Sequence, residues 1–170
     1  STCGIPPMIL KLGEDVCVNL AVSLNAPDDT TRNALMPVNR KYPLETLVRA
    51  CRDYPMPRRR RITFEYILID GINASPEHAK KLVRLFRGMK CKFNLIPFNE
   101  FPGTPYRAPS KKTVEAFRKV LVDHHYTAVI RKSCGQDILA ACGQLSGRHG
   151  DGTEVEKMRS SEDRSQLQQN

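Results

Sequence analysis

Ile62-Thr63-Phe64-Glu65-Tyr66-Ile67-Leu68-Ile69, then Ser75-Pro76-Glu77-His78-Ala79-Lys80-Lys81-Leu82-Val83-Arg84-Leu85-Phe86-Arg87-Gly88, then Cys91-Lys92-Phe93-Asn94-Leu95-Ile96: these three consecutive pieces decide the fold. The outer two are short apolar, β-branched runs of strand length. The middle one places Ser75 as a cap, Pro76 at the first helical position, Ala79, Leu82, Val83 and Phe86 on one face, and Gly88 as a stop. A strand, a helix and a second strand in that order make a crossover, and a crossover joins parallel strands.

The pattern repeats on both sides. Val16 to Leu24 and Tyr126 to Ile130 read as further strands. Leu44, Leu47, Val48 and Cys51 fall at i, i+3, i+4, i+7 behind Pro43, and Val114, Phe117 and Leu121 line one side of a helix that begins near Ser110. The expected class is therefore α/β, with a mainly parallel sheet, open or closing into a barrel, and helices outside. Ligands of such sheets gather where strands end. There the sequence puts Asn25, Asp70, Asn99 and Arg131-Lys132-Ser133.

With 170 residues, 40% of them hydrophobic and 26% charged, the chain has material for one sizeable core. No window approaches the roughly 18 apolar residues of a membrane span, and Ser1-Thr2-Cys3-Gly4 has neither a basic leader nor an apolar signal core, so the expectation is a cytoplasmic protein with no membrane partner. Residues 1–147 are read as the folded part. Residues 148–170, rich in Ser, Gln, Glu and Arg, are read as a disordered polar tail. Lys and Arg number 27 against 18 Asp and Glu, and the resulting charge of +9 favours a polyanionic partner, nucleic acid first. Part of that charge solvates helix faces, as at Lys80, Lys81, Arg84 and Arg87, but Arg58 to Arg61 form a run directly before a strand.

Six cysteines at 3, 17, 51, 91, 134 and 142 make no Cys-x-x-Cys pair, so no metal ligand is assigned to this chain. Cys17, Cys51 and Cys91 lie in periodic apolar segments and are read as packing residues. Cys142, in Ala140-Ala141-Cys142-Gly143-Gln144-Leu145, has small neighbours that let a ligand approach; Cys134, near Arg131 and Lys132, has the more electropositive surroundings. Both stand as candidates for a reactive thiol. The absence of a Gly-rich phosphate loop, of His-Glu-x-x-His and of Gly-x-Ser-x-Gly removes the common nucleotide and serine hydrolases.

Read in order, Ser1-Thr2-Cys3-Gly4, Ala21-Val22-Ser23-Leu24-Asn25-Ala26-Pro27, Met36-Pro37-Val38-Asn39-Arg40-Lys41-Tyr42, Phe64-Glu65-Tyr66, Asn94-Leu95-Ile96-Pro97-Phe98-Asn99 and the Cys142 segment resemble one family. It is the dual-specificity adenine-C2 methyltransferases of 23S ribosomal RNA and transfer RNA, and the resemblance runs from Ser1 to about Gly147. It implies the second half of a partial (βα) barrel of the radical S-adenosylmethionine type. It also implies that Ser1, Ser23, Leu24, Asn25 and Asn99 contact S-adenosylmethionine, and that a 4Fe-4S cluster has its ligands upstream of this chain.

By the same resemblance Cys142 is the methyl carrier. Its thiolate takes a methyl group from one S-adenosylmethionine; a second, cleaved reductively, yields a radical that removes hydrogen from the S-methyl group, and the resulting carbon radical adds to adenine C2. Radical addition suits C2, an electron-poor amidine carbon that offers no nucleophile to a sulfonium methyl. A second cysteine, upstream, then releases the product by forming a disulfide with Cys142. Further implications are 23S rRNA and tRNA as partners, an electron donor such as a flavodoxin-type reductase, a monomeric enzyme, and no activity from this chain by itself. Two departures stand out: Asn25 replaces a common His, and Ser133-Cys134-Gly135-Gln136-Asp137 replaces a more usual Arg-Gly-Asp-Asp run. Competing readings are an adenine-C8 methyltransferase relative, an RNA-binding remnant that uses Arg58 to Arg61, and an α/β domain in which Cys142 merely packs.

Overall fold

The computed structural model describes residues 1–56 and 59–131. Cys134, Cys142 and the expected polar tail at 148–170 lie outside the described residues. The elements are α1 (Pro6–Asp15), β1 (Ala21–Ser23), α2 (Asp29–Leu35), a 3-10 turn (Pro37–Arg40), α3 (Leu44–Asp53), β2 (Ile62–Leu68), α4 (Pro76–Leu85), β3 (Cys91–Pro97), α5 (Lys111–Asp123) and β4 (Thr127–Ile130).

All four strands are parallel and stand in the sheet in chain order, with Val22, Phe64, Phe93 and Ala128 side by side. A single bridge from Thr2 to Val22 continues the sheet beyond β1. Strands pointing one way and advancing in one direction require every crossover to pass over the same face. Burial records this: Ile62, Phe64, Tyr66 and Leu68 are buried on that face, whereas Thr63, Glu65 and Ile67 between them are half-exposed on the other. A doubly wound sheet would reverse its strand order and cover both faces. The order seen here is that of a barrel wall, as expected.

The covered face is held by aromatic packing. Phe64 stacks 4.4 Å from Phe86 of the α4 terminus, Phe93 lies 5.5 Å from Phe86 and from Tyr126, and Tyr66 sits 5.2 Å from Phe117 of α5. Such pairs add about 0.5–1.5 kcal/mol each beyond the area they bury. α4 starts as its sequence dictates: the Ser75 side chain accepts from the His78 N–H, and Gly88 adopts φ 76° beyond the helix end. Ser110 caps α5 in the same way.

Two expectations fail. The strand read from Val16 to Leu24 is paired only over Ala21–Ser23; Val16 and Val18 remain 45% and 42% exposed, and Cys17 is exposed too, so Cys17 is not a packing residue. Among the described residues Val16 to Asn19 have no neighbouring strand, and pairing begins only where the Leu20 carbonyl accepts the Thr63 N–H at 3.0 Å. Helices α1 and α2 were not expected. α1 buries only Pro6 and Ile9 and leaves Met8, Leu10 and Leu12 exposed, so apolar residues on both faces hide its helical period, and its cap position, Ile5, makes no side-chain hydrogen bond.

Candidate functional site at the carboxyl ends of the strands

β1 runs out at Ser23, and Asn25 then turns the chain in the left-handed region, φ 57°, which asparagine tolerates better than most residues. Its side chain stays in the sheet. Oδ1 accepts the Ile67 N–H at 3.0 Å, extending the β1–β2 ladder, while Nδ2 donates to the Met36 sulfur at 3.4 Å. From the other side Asn73, fully buried, donates Nδ2 to the carbonyls of Asn25 (2.8 Å) and Ile67 (2.7 Å) and accepts the Ile69 N–H at 2.7 Å. Two asparagine amides thus staple the ends of β1 and β2.

Arg32 of α2 performs the matching task at the outer edge. Although 0% exposed, it donates Nε to the Leu24 carbonyl (3.0 Å), Nη2 to the carbonyls of Cys3 (2.8 Å) and Ser23 (3.3 Å), and Nη1 to Asn39 Oδ1 (2.8 Å). Burial pulls the pKa of the guanidinium down, but nearby Asp29 works against that shift. Asn39 passes the network on, donating Nδ2 to Asp29 Oδ1 and to Asn33 Oδ1, both at 2.8 Å. The segment Met36–Tyr42 is thereby tied to the floor of the strand ends. Gly4 is part of the same fit: at φ 93°, a Cβ there would lie 2.9 Å from Leu47 Cδ2 and 3.1 Å from Arg32 Nη2.

The other face of the sheet is at least half-exposed among the described residues, with polar groups in two rows before the apolar pair Ile67 and Ile96. Register places Ser23, Glu65, Asn94 and Val129 in one row across it, and Ala21, Thr63, Lys92 and Thr127 in the row before. Neighbours in such a row are about 4.8 Å apart. A hydroxyl, a carboxylate and an amide therefore stand side by side on a half-exposed surface, an arrangement suited to a ligand with several hydrogen-bonding groups.

Among the residues singled out from the sequence, Ser23, Leu24 and Asn25 come together at the end of β1. The Leu24 side chain is buried in the core, and its main chain is engaged as well: the N–H donates to the Glu65 carbonyl at 2.8 Å, and its carbonyl accepts from the Ala26 N–H and from Arg32 Nε, so Leu24 shapes the site without offering a free group. Ser1 is exposed beside β1, one residue before the Thr2 bridge. Asn99 is half-buried two residues past β3, and its side chain makes no hydrogen bond to the described residues. Cys142 lies outside them. Arg32, Asn39 and Asn73, which shape the site, had no role in the sequence reading; only Asn39 fell within a quoted motif.

Among the described residues no group of three His, Cys, Asp or Glu side chains could hold a metal, and no helix is long and apolar enough to cross a membrane. Cys51 and Cys91 are buried, which pushes both thiols up to about 12. A one-way parallel sheet, packed by helices on one face, carrying polar groups on the other among the described residues, and with the ends of β1 and β2 stapled together, defines a partial α/β barrel.

Known proteins narrow that class. A crystal structure of a radical SAM methyltransferase from Sphaerobacter thermophilus superposes with a TM-score of 0.79 at 46% identity, over 84% of this chain and 43% of that one. A domain of pyruvate-formate lyase-activating enzyme from Bacteroides vulgatus shares the fold, with a TM-score of 0.60 at 17% identity over 77% of this chain and 79% of that one. The dual-specificity RNA methyltransferase RlmN of Syntrophus aciditrophicus is 66% identical over 148 residues, 87% of this chain and 42% of the relative. That of Pelobacter propionicus is 51% identical over 149 residues, 87% and 43% respectively. No protein-family model matches. The chain spans about two fifths of the length of the curated relatives it matches. It belongs to the dual-specificity RNA methyltransferase family of radical SAM enzymes.

Proposed function

We propose that the whole protein methylates C2 of adenine in 23S rRNA and tRNA, with Cys142 as methyl carrier. The observation that carries this reading is the 66% identity to an RNA methyltransferase over 87% of the chain, together with a sheet whose polar face and pinned strand ends suit a nucleoside cofactor. When bound, S-adenosylmethionine and a 4Fe-4S cluster supply the methyl group and the radical chemistry. The cluster's ligands lie outside the described residues.

The residues present fit S-adenosylmethionine. Ser23 and Asn99 offer side chains and Asn25 its main-chain N–H, while Leu24, its main chain held by Glu65, Ala26 and Arg32, sets their position and Ser1 stands level with Ala21 at the start of β1. Arg32 and Asn73 keep these groups in place without reaching the ligand themselves, since both are buried. Cys142 accepts the methyl group as a thiolate, which is a soft nucleophile matched to a sulfonium carbon. RNA is the partner that the +9 charge favours, and a flavodoxin-type reductase is the electron source. We place the enzyme in the cytoplasm, as a monomer.

The test is intact-protein and peptide mass spectrometry on the full-length, cluster-loaded enzyme treated with S-adenosylmethionine, with Cys142→Ala as control. A methyl mass on the Cys142 peptide, lost in the variant, is expected. Nucleoside analysis of treated RNA then reads 2-methyladenosine; 8-methyladenosine overturns the regiochemistry, and an unmodified Cys142 overturns the carrier role.

A further inference from the structure

We propose that a basic cavity at the amino-terminal end of the sheet, opposite the strand ends just described, holds phosphodiester groups of the RNA. The proposal rests on RNA being the substrate. The cavity, about 460 Å³, is lined by Arg52, Arg59, Arg60 and Lys90, with Ile62 and Tyr54 in its wall. Ile62 is the first residue of β2, and Lys90 directly precedes β3. A seven-residue strand is roughly 20 Å long, so this cavity and the Asn25 end of the sheet are separate places.

Among the described residues no acidic side chain lines the cavity, and none of the four cations has a carboxylate within salt-bridge distance. Arg52 is held but not neutralised: Nη2 donates to the main-chain carbonyls of Leu85 (3.4 Å) and Arg87 (3.2 Å). Arg61 adds a further cation at the next position, with Nη1 on Thr127 Oγ1 at 3.1 Å. Arg59 adopts φ 65°, a conformation that non-glycine residues seldom hold.

Unpaired cations gathered against a protein wall attract an anion more strongly than dispersed ones do, and guanidinium forks match phosphate oxygens two at a time. The one aromatic ring that the described residues bring to the wall, Tyr54, is buried with its hydroxyl on the Val18 carbonyl at 3.0 Å. It offers no open face on which a base could stack. The chemistry therefore fits the sugar–phosphate backbone, which positions an RNA without reading its sequence. An RNA held here while its adenine lies at the far end must pass around the sheet, which suits a folded polynucleotide and not a mononucleotide.

The experiment measures affinity of the full-length, cluster-loaded enzyme for a tRNA transcript between 50 and 200 mM KCl, with methylation kinetics in parallel. Arg60→Gln/Lys90→Gln removes two cations from the cavity; Lys11→Gln/Lys80→Gln removes two from exposed positions of α1 and α4. We expect the cavity variant alone to lower the slope of log affinity against log salt by about 1–2 and to weaken binding roughly tenfold or more. Its KM for RNA should rise with kcat unchanged. An equal effect in both variants, a fall in kcat alone, or saturation of the cavity by inorganic phosphate without any change in RNA affinity overturns the proposal. A wild-type enzyme that binds tRNA with the expected slope but makes no methyladenosine would sink the proposed function and leave this site standing.

Discussion

Arg32 Nη1 donates to Asn39 Oδ1 at 2.8 Å, and both side chains are closed to solvent, at 0% and 1% exposure. The guanidinium is compensated by main-chain carbonyls and this one amide, with no carboxylate in direct contact among the described residues. Removing one acceptor leaves a buried cation short of a partner. Asn39→Ala should lower stability by about 3 kcal/mol, and Arg32→Lys, which cannot reproduce the fork, by a similar amount. Urea unfolding checks both; a loss under about 0.5 kcal/mol in either would show that the clamp does not hold the strand ends.

The two asparagine staples should differ in weight. Asn73→Ala strands two carbonyls and one N–H, and is expected to cost about 2–3 kcal/mol. Asn25→Gly keeps a residue at ease at φ 57° and gives up chiefly the bond to the Ile67 N–H, so about 1 kcal/mol is expected. Calorimetric midpoints of the two variants should fall in that order.

Asp28 caps α2 through the Thr31 N–H and pairs with Lys81 of α4 at 2.7 Å. Partial burial raises its pKa, but hydrogen bonds from Lys81 and Thr31 outweigh that effect and bring the carboxyl from 3.8 to about 2. A folded value below the unfolded one means stability that is complete above 3.8 and is lost as pH falls through about 2. Asp28→Asn retains a capping oxygen and removes the proton dependence. The stability gap between wild type and this variant should therefore narrow from pH 4 to pH 2, and an unchanged gap would refute the assignment.

The described cysteines divide by surroundings. Cys51 and Cys91, buried and pushed up to about 12, should resist alkylation at pH 8, while exposed Cys3 and Cys17 react. Pulse labelling read by peptide mass spectrometry separates the pairs. Modification of Cys51 at the rate of Cys17 in the native state would contradict the packing.

Much of this architecture is written locally. β2, α4 and β3 each carry their own signal, in the alternation of Ile62 to Leu68, in Ser75-Pro76 and in Gly88, and the structure follows them nearly residue for residue. Arg32 and Asn73 are different. By composition they look like surface residues, and they become buried only because the carbonyls of Cys3, Leu24 and Ile67 converge on them in the tertiary fold. Asn25 shows both sides: resemblance marks it as a cofactor contact, while its side-chain oxygen is already engaged by the Ile67 N–H. Its part toward a ligand falls to its main chain and to the remaining amide hydrogen.

Because the strands stand in the sheet in chain order, each new strand finds its partner already made. During synthesis β2 can dock on β1, β3 on β2 and β4 on β3, each across its own helical crossover, so that no strand waits for a partner made later in the chain. Assembly can therefore advance along a single growing edge, in the direction in which the chain is made.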